Sequence, residues 1–478
     1  MGAWIFFTIT RLNEKNIQEI EQSLRCQFEN HFQADEIELF ARKKQFVQRK
    51  SKLDGKIFLS LIVFNVNSLH DESLNDLTVD LAQNYKVDIT KQGLQDRFNA
   101  CAVSFLTAAL ENLLNKQLAG KVSFPNCIEF KRFLIKDSVC FQIDSSLAEY
   151  YPGSGGSASK ANVRIQFEYD LLNGTIVDLS LNAFNDQDAK NSIATLELVE
   201  QGDLIVRDLA YMHLDALHGI IQNYAHFLSR LNSTTKVYRK HNGEFVELDF
   251  SAIIKYMRDN KITQTEEIVA LGENKDLQVR LFLFLMPTAV HNQRIRKAQK
   301  SAKKKGYQVS KAFKIRAALS LFITSAPIEL LSIDEAYKIY SLRWQIELTF
   351  KIWKSICKID KVKKVKKERL ECYIFAKLLI IVLCWRIAWF TNRLLKQYYG
   401  RNLSFFKAFK TLMRDMYRLE KLLIDREIPA VDYFLEFLKL SSKKHLLEKK
   451  KGQGYSPEVL VSSLTFEENE IFAGILYS

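Results

Sequence analysis

The chain has 478 residues, 47% of them hydrophobic and 26% charged, which excludes an extended disordered protein and suits roughly two to four globular domains. Lys and Arg number 69 against 55 Asp and Glu, a net charge of +14, so a polyanionic partner is favoured: nucleic acid first, an anionic membrane second. Seven scattered cysteines without a CxxC pair indicate neither a disulfide framework nor a zinc site, and fit a reducing compartment.

The N-terminal MGAWIFFTITRLNEK lacks a basic leader and a small-residue cleavage site, so no secretory signal is expected. Helical periodicity dominates residues 12–125. Within them LAQNYKVDITKQGLQDRF (81–98) has the outline of a helix-turn-helix. Its first helix would end at Tyr85, and Thr90 would cap a second helix exposing Lys91, Gln92, Gln95 and Arg97. An ordinary helical hairpin has the same outline.

Near residue 139 the texture changes. VCFQIDSS (139–146) reads as a strand ending in Asp144, and VRIQFEYDLL and TIVDLSLNAF follow as a hairpin turning at Asn173-Gly174. PGSGGSASK (152–160) reads as a loop between them. A helix over DAKNSIATLELVE leads to the strand DLIVRDLAY, with Asp208 near its end. Residues 233–310 look like an insertion, with strands in KVYRKHNGEFVELDF and LQVRLFLFLM. It ends in RIRKAQKSAKKKG, where seven of the twelve residues 294–305 are Lys or Arg. That run suits either a solvated helix or a phosphate backbone. LSLFITSA (319–326) resumes the sheet pattern, and KIDKVKKVKKER (358–369) forms a second basic cluster. The apolar run 374–390 is broken by Lys377 and Arg386 and is too short to span a bilayer, so a buried helix is expected and no membrane partner.

Pro327 and a capping box at Ser332 and Glu335 open a helix expected to run from Ser332 to Cys357. On a helical projection Tyr340, Arg343, Glu347 and Lys354 share roughly a 60° arc, beside an apolar arc of Ile339, Leu342, Ile346, Phe350 and Trp353. In isolation such a stripe is more ordinarily a solvated carboxylate among cations on an exposed face. Phosphodiester chemistry, however, needs a few carboxylates on rigid elements to hold divalent cations. Asp144 and Asp208 on strands and Glu347 on a flanking helix would supply them.

The segment YSLRWQIELTFKIWK fits Y-x2-R-x3-E-x6-K through Tyr340, Arg343, Glu347 and Lys354, and so resembles the insertion-sequence family-four DDE transposases. The strand-borne acid in QIDSS, the DLAY pattern at Asp208 and the long β-rich insertion before Glu347 are similar to the same family. The resemblance implies an α/β fold: a ribonuclease-H-like mixed-sheet core with a β-rich insertion, flanked by N- and C-terminal helical domains. The corresponding division is 1–125 (DNA-binding), 126–232 (first part of the core), 233–310 (insertion), 311–380 (core completed) and 381–478 (C-terminal helices).

By position, the resemblance implies that Asp144, Asp208 and Glu347 hold two Mg2+ ions, with Mn2+ a possible substitute. Tyr340, Arg343 and Lys354 would grip DNA at the cleaved end, with Lys351 and Trp344 bordering them. Asp203 precedes its strand and Asp215 falls in the next helix, so Asp208 is preferred to both; Asp137 lies upstream of the apolar strand, so Asp144 is preferred to it. Asp170 and Asp178 flank the hairpin turn and read as structural, and His213 and His218 as surface or core histidines. Lys160 and Arg164 suit DNA contact or solvent equally. The implied activity is metal-dependent cleavage at element ends and transfer of the 3′-hydroxyl into target DNA. The partners would be double-stranded DNA with terminal inverted repeats, target DNA and a second copy of the chain, in the bacterial cytoplasm. A nuclease without strand transfer and a non-catalytic DNA-binding regulator are the alternatives.

Overall fold

The computed structural model describes residues 34–116, 130–153, 160–186, 188–232 and 234–448. The N-terminal stretch MGAWIFFTITRLNEK, most of the glycine-rich loop, Cys26 and Cys127 lie outside them.

Among the described residues five helices come first: α1 (Ala34–Lys43), α2 (Gly55–Val63), α3 (Leu74–Tyr85), α4 (Lys91–Arg97) and α5 (Ala100–Asn115). The expected helix pair is present at α3 and α4. Helix α3 stops at Tyr85 because Lys86 turns left-handed, and the Thr90 hydroxyl caps α4 by accepting from Gly93 N. Lys91 and Gln92 are exposed as expected, but Arg97 is not free on that face. Its guanidinium stacks 4.1 Å over Phe46 and donates to the Leu53 carbonyl.

The sheet then begins with β1 (Arg132–Gln142), β2 (Asn162–Asp170) and β3 (Ile176–Ala183), followed by α6 (Asp188–Ala194), β4 (Asp203–Arg207), α7 (Leu214–Gln222) and β5 (His226–Arg230). Next come β6 (Val237–His241), β7 (Glu244–Glu247), α8 (Phe250–Asp259), β8 (Gln264–Leu271) and β9 (Leu277–Leu285). Two helices, α9 (Thr288–Lys305) and α10 (Lys311–Arg316), lead to β10 (Leu319–Thr324). All ten strands form one sheet in the order β3-β2-β1-β4-β5-β10-β9-β8-β6-β7. The β1–β4 and β4–β5 pairs are parallel and the other pairs antiparallel. The mixed α/β architecture is the one expected. Sequence reading missed α8 and β8.

The described residues close with α11 (Ile333–Ser341), α12 (Trp344–Ser355), α13 (Lys367–Tyr399), α14 (Phe405–Leu412), α15 (Met416–Leu423) and α16 (Ala430–Lys444). Side chains alternate across a strand, and this alternation divides the core. Phe133, Ile135, Val139, Val163, Ile165, Phe167, Leu204 and Val206 join α12 and α13 on one face. Leu134, Ile205, Phe227, Leu281 and Ile323 pack with α7 and α8 on the other.

Helix α13 is long and apolar enough to cross a membrane, yet 89% of its most apolar window is buried within the protein. It packs against α2, α5, α14 and α16. Its two interrupting cations have partners: buried Lys377 donates to the carbonyls of Lys358 and Lys361 at 2.8 and 2.5 Å, and half-buried Arg386 to that of Leu113. The helix is also tied to the β2–β3 hairpin, where the Trp385 indole donates to the Gly174 carbonyl at 2.8 Å. Gly174 has φ +74°, and a Cβ there would lie 2.4 Å from the Trp389 ring, so the Asn-Gly turn serves both backbone and packing.

Candidate active site

Two strand segments carry the same pattern, aliphatic residues, one cation, then aspartate: FLIKD in β1 and LIVRD at β4. Lys136 pairs with Arg207 in the parallel register, so Asp137 and Asp208 lie side by side one step on. Alternation turns both aspartates to the α12 face and both cations to the opposite one.

On that opposite face Lys136, Glu168, Arg207 and Asp178 form a buried ionic row across four adjacent strands. Lys136 Nζ lies 2.7 Å from Asp178 and 3.4 Å from Glu168, and Arg207 Nη2 lies 2.8 Å from Glu168. Thr195 and Ser192, beside α6, accept the remaining donors at 3.0 and 2.7 Å. Burial opposes the charge on Glu168, but Arg207 and Lys136 outweigh it and hold the carboxyl below its ordinary range. Asp178 is therefore structural, as expected.

The helix bearing Glu347 is seated by aromatic packing. Trp353 and Phe350 of α12 lie 4.9 and 6.2 Å from the Phe167 ring of β2, and Trp353 is fully buried. Burying each such side chain contributes about 1.5–3 kcal/mol. The Ser332–Glu335 capping box opens α11 as expected. The single helix expected from Ser332 to Cys357 is instead two. Around Leu342 and Arg343 the bonds tighten to i→i−3 (Gln345 N to Leu342 O, Ile346 N to Arg343 O). Tyr340 therefore lies in the last turn of one helix, Arg343 occupies the joint, and Glu347 lies in the first turn of the next.

That joint aims Arg343 into the acids. Its Nη1 lies 3.3 Å from Asp137 Oδ2, its Nη2 2.9 Å from Glu347 Oε1, and its Nε 3.9 Å from Asp208 Oδ1. Nε is buried and has no hydrogen-bond acceptor among the described residues. Burial would lower the Arg343 pKa, but Asp208, Tyr340, Asp137 and Glu347 together raise it. Tyr340 is also buried. Its hydroxyl donates to Asp208 Oδ1 at 3.2 Å, and its ring lies 4.8 Å from Phe322 and 5.7 Å from the Arg230 guanidinium. Its pKa is raised by burial first and Asp208 second. Burial, with Asp208 adding like charge, pushes the Asp137 carboxyl up to about 6, against the pull of Ser138 N–H and Arg343.

Asp208 and Glu347 thus meet at this point, and the structure brings Asp137 to them in place of Asp144. Strand β1 starts at Arg132, seven residues before the strand expected from Val139, so Asp137 lies inside it. Asp144 lies seven residues farther on, about 20 Å away along an extended chain. There it caps a short turn, accepting from Ser146 N and Oγ at 3.0 and 2.6 Å, and those bonds lower its pKa. Trp344, Lys351 and Lys354 are exposed along α12, with Lys354 Nζ 3.5 Å from the Cys140 carbonyl. Arg164 is nearly buried and ion-paired to Asp188 at 2.5 Å, so it is not a free cation for DNA. Arg230 was not anticipated.

The donor set fits a cation: three carboxylates converge, and a guanidinium now supplies their positive charge. Among the described residues no three His, Cys, Asp or Glu side chains close to metal-ligating distance as they stand. Arg343 occupies the space between them.

A sheet-borne pair of aspartates with a helix-borne glutamate defines a DDE phosphodiester enzyme, and residues 128–383 match the transposase DDE domain family. The chain belongs to the insertion-sequence DDE transposases, a family of DNA-acting nucleases and transferases that use divalent metal ions. It is 30% identical over 456 residues to the transposase for insertion sequence element IS231E of Bacillus thuringiensis subsp. finitimus, covering 91% of this chain and 95% of that one. It is 29% identical to the IS231F transposase of subsp. israelensis (84% of this chain, 88% of the relative) and 26% identical to the IS1151 transposase of Clostridium perfringens (84% and 87%).

Proposed function

We propose that this protein cuts DNA at the inverted repeats of an insertion sequence and joins the freed 3′-hydroxyl to target DNA, with Asp137, Asp208 and Glu347 as its catalytic carboxylates. The observation that carries the assignment is the convergence of all three on the guanidinium of Arg343. Mg2+ ions, two per site with Mn2+ as a substitute, would supply charge neutralisation at the phosphate and activation of the attacking oxygen.

The chain's own residues do the rest. Asp137 and Asp208, fixed by strand register, and Glu347, fixed by α12, present acceptor oxygens from rigid elements. Arg343 carries a planar fork with one unsatisfied donor, suited to a phosphate oxygen that arrives with substrate. Tyr340 orients Asp208 through its hydroxyl. Trp344, Lys351 and Lys354 line the exposed side of α12, where a duplex end would lie. Lys91 and Gln92 on α4 face solvent as a helix-turn-helix reader would. The five-part division given above is the corresponding domain reading, with α1–α5 as the DNA-binding region. Two copies would pair two element ends on the bacterial nucleoid.

Incubation with Mg2+ and linear DNA carrying the terminal repeats and a target plasmid tests the reading. Nicking at the ends followed by joining is expected. Nicking without joining would indicate a nuclease, binding alone a regulator, and full cleavage by Asp137→Ala would reject the assignment.

A further inference from the structure

We propose that α9 and α10 form a sequence-independent surface for the target duplex, an inference that rests on the transposase reading. Between Asp276 and Glu329 the chain carries eleven Lys or Arg and not one acid. Three of the eleven are used internally. Arg280 pairs with Glu266, Arg294 donates to Ala317 O, Leu319 O and Ser320 Oγ, and Arg316 lies over the Phe250 ring. The other eight, Arg296, Lys297, Lys300, Lys303, Lys304, Lys305, Lys311 and Lys314, are all exposed. None has a carboxylate partner among the described residues.

The surface is held rigidly. Arg294, Ala298 and Ala302 form the inward stripe of α9, with Ala302 buried and Arg294 pinned to the start of β10. A ring nitrogen of His291 lies 2.9 Å from the Lys314 carbonyl and ties α9 to α10. The placement follows from the sheet. Ser229 pairs with Arg207 and Arg230 with Phe322, which pairs in turn with Phe282. The row through Asp137 and Asp208 therefore continues through Arg230 and Phe322 to β9. Strand β9 leaves the sheet at Leu285, on the edge toward which β4 points Asp208, and α9 begins three residues later.

Both the chemistry and the placement indicate which duplex. Seven of the eight exposed cations are lysines, point charges that neutralise phosphate without reading base edges. An element end has a fixed sequence, whereas target DNA varies. A rigid helix pair about 27 Å long along α9, at the catalytic edge of the sheet, suits the variable partner.

The test is the quadruple variant Lys297→Gln, Lys300→Gln, Lys304→Gln and Lys311→Gln, with the four Lys→Arg changes as the charge-preserving control. Anisotropy on a duplex lacking the repeat, measured across a salt series, should show the slope of log affinity against log salt reduced by about 3. Joining of pre-cleaved ends to target should fall about tenfold while end cleavage stays within about twofold, and the arginine control should behave as wild type. If cleavage of uncut donor falls and pre-cleaved ends join normally, the surface serves flanking donor DNA and the proposal is overturned. An unchanged salt slope also overturns it. If wild type itself neither cuts nor joins, the transposase reading fails, and the salt slope still decides whether α9–α10 bind duplex.

Discussion

Asp137 and Asp208 stand side by side on parallel strands, each directly after a buried cation that faces the other way. The pairing makes Asp137, rather than Asp144, the strand-borne acid beside Asp208. Asp137→Ala should lower end nicking by at least about a thousandfold, the scale of losing a transition-state contact. Asp144→Ala should stay within about threefold, since Asp144 only caps a turn. A gel assay of Mg2+-dependent nicking on both purified variants checks this; equal losses in the two would contradict the geometry.

The raised pKa of Asp137 sets a pH dependence. Its carboxyl must be ionised to act, so log nicking rate should climb with unit slope to about pH 6 and then level. The stability effect has the opposite sense. Folding raises this pKa, so the folded state holds the proton more tightly. That contribution is complete below the ordinary aspartate value and is lost as pH rises through about 6. Asp137→Asn removes the loss, and should gain on wild type by about 2 kcal/mol between pH 4 and 8 in urea titrations.

Arg343 links all three carboxylates, and lysine cannot replace a fork that spans them. Removing the guanidinium takes a cation away from Asp137, so Arg343→Ala should move the acidic limb of the rate profile above about pH 6. It should also leave the carboxylates open to a divalent ion without DNA, so that Mn2+ raises its melting temperature more than that of wild type. No difference in the Mn2+ response would show that the guanidinium does not compete with a cation there.

The ionic row behind the acids is expected to be costly to break. Lys136→Met strands Glu168 and Asp178 beside a single remaining cation, and should cost about 3–5 kcal/mol in denaturant unfolding. Adding Asp178→Asn should recover part of it, because the second change removes the uncompensated charge.

Much of this fold was legible from pattern. The capping box at Ser332, the Asn173-Gly174 turn, the strand before Asp208 and the long buried helix through Lys377 all follow local rules that tertiary structure did not override. The first acid was not legible by the rule applied. A Lys-Asp pair interrupts the apolar run, and charge inside a strand argues against a strand unless partners neutralise it. Those partners, Glu168 on β2 and Asp178 on β3, become visible only once register is known. A signal was nonetheless present in the recurrence of FLIKD and LIVRD. The break between Tyr340 and Trp344 was illegible for a different reason. No glycine or proline marks it, and it arises where Arg343 is drawn toward carboxylates distant in sequence.

The alternation of Lys136 with Asp137, and of Arg207 with Asp208, also guards against misassembly. A strand that slipped by one position would turn Asp137 into a closed face already holding Glu168, and push Lys136 out among Asp208 and Glu347. Such an arrangement buries like charges together and removes Asp137 from the face it shares with Asp208, so the alternation disfavours a slip of one residue. The proposed active site and the register of the sheet are thus tied to the same two dipeptides.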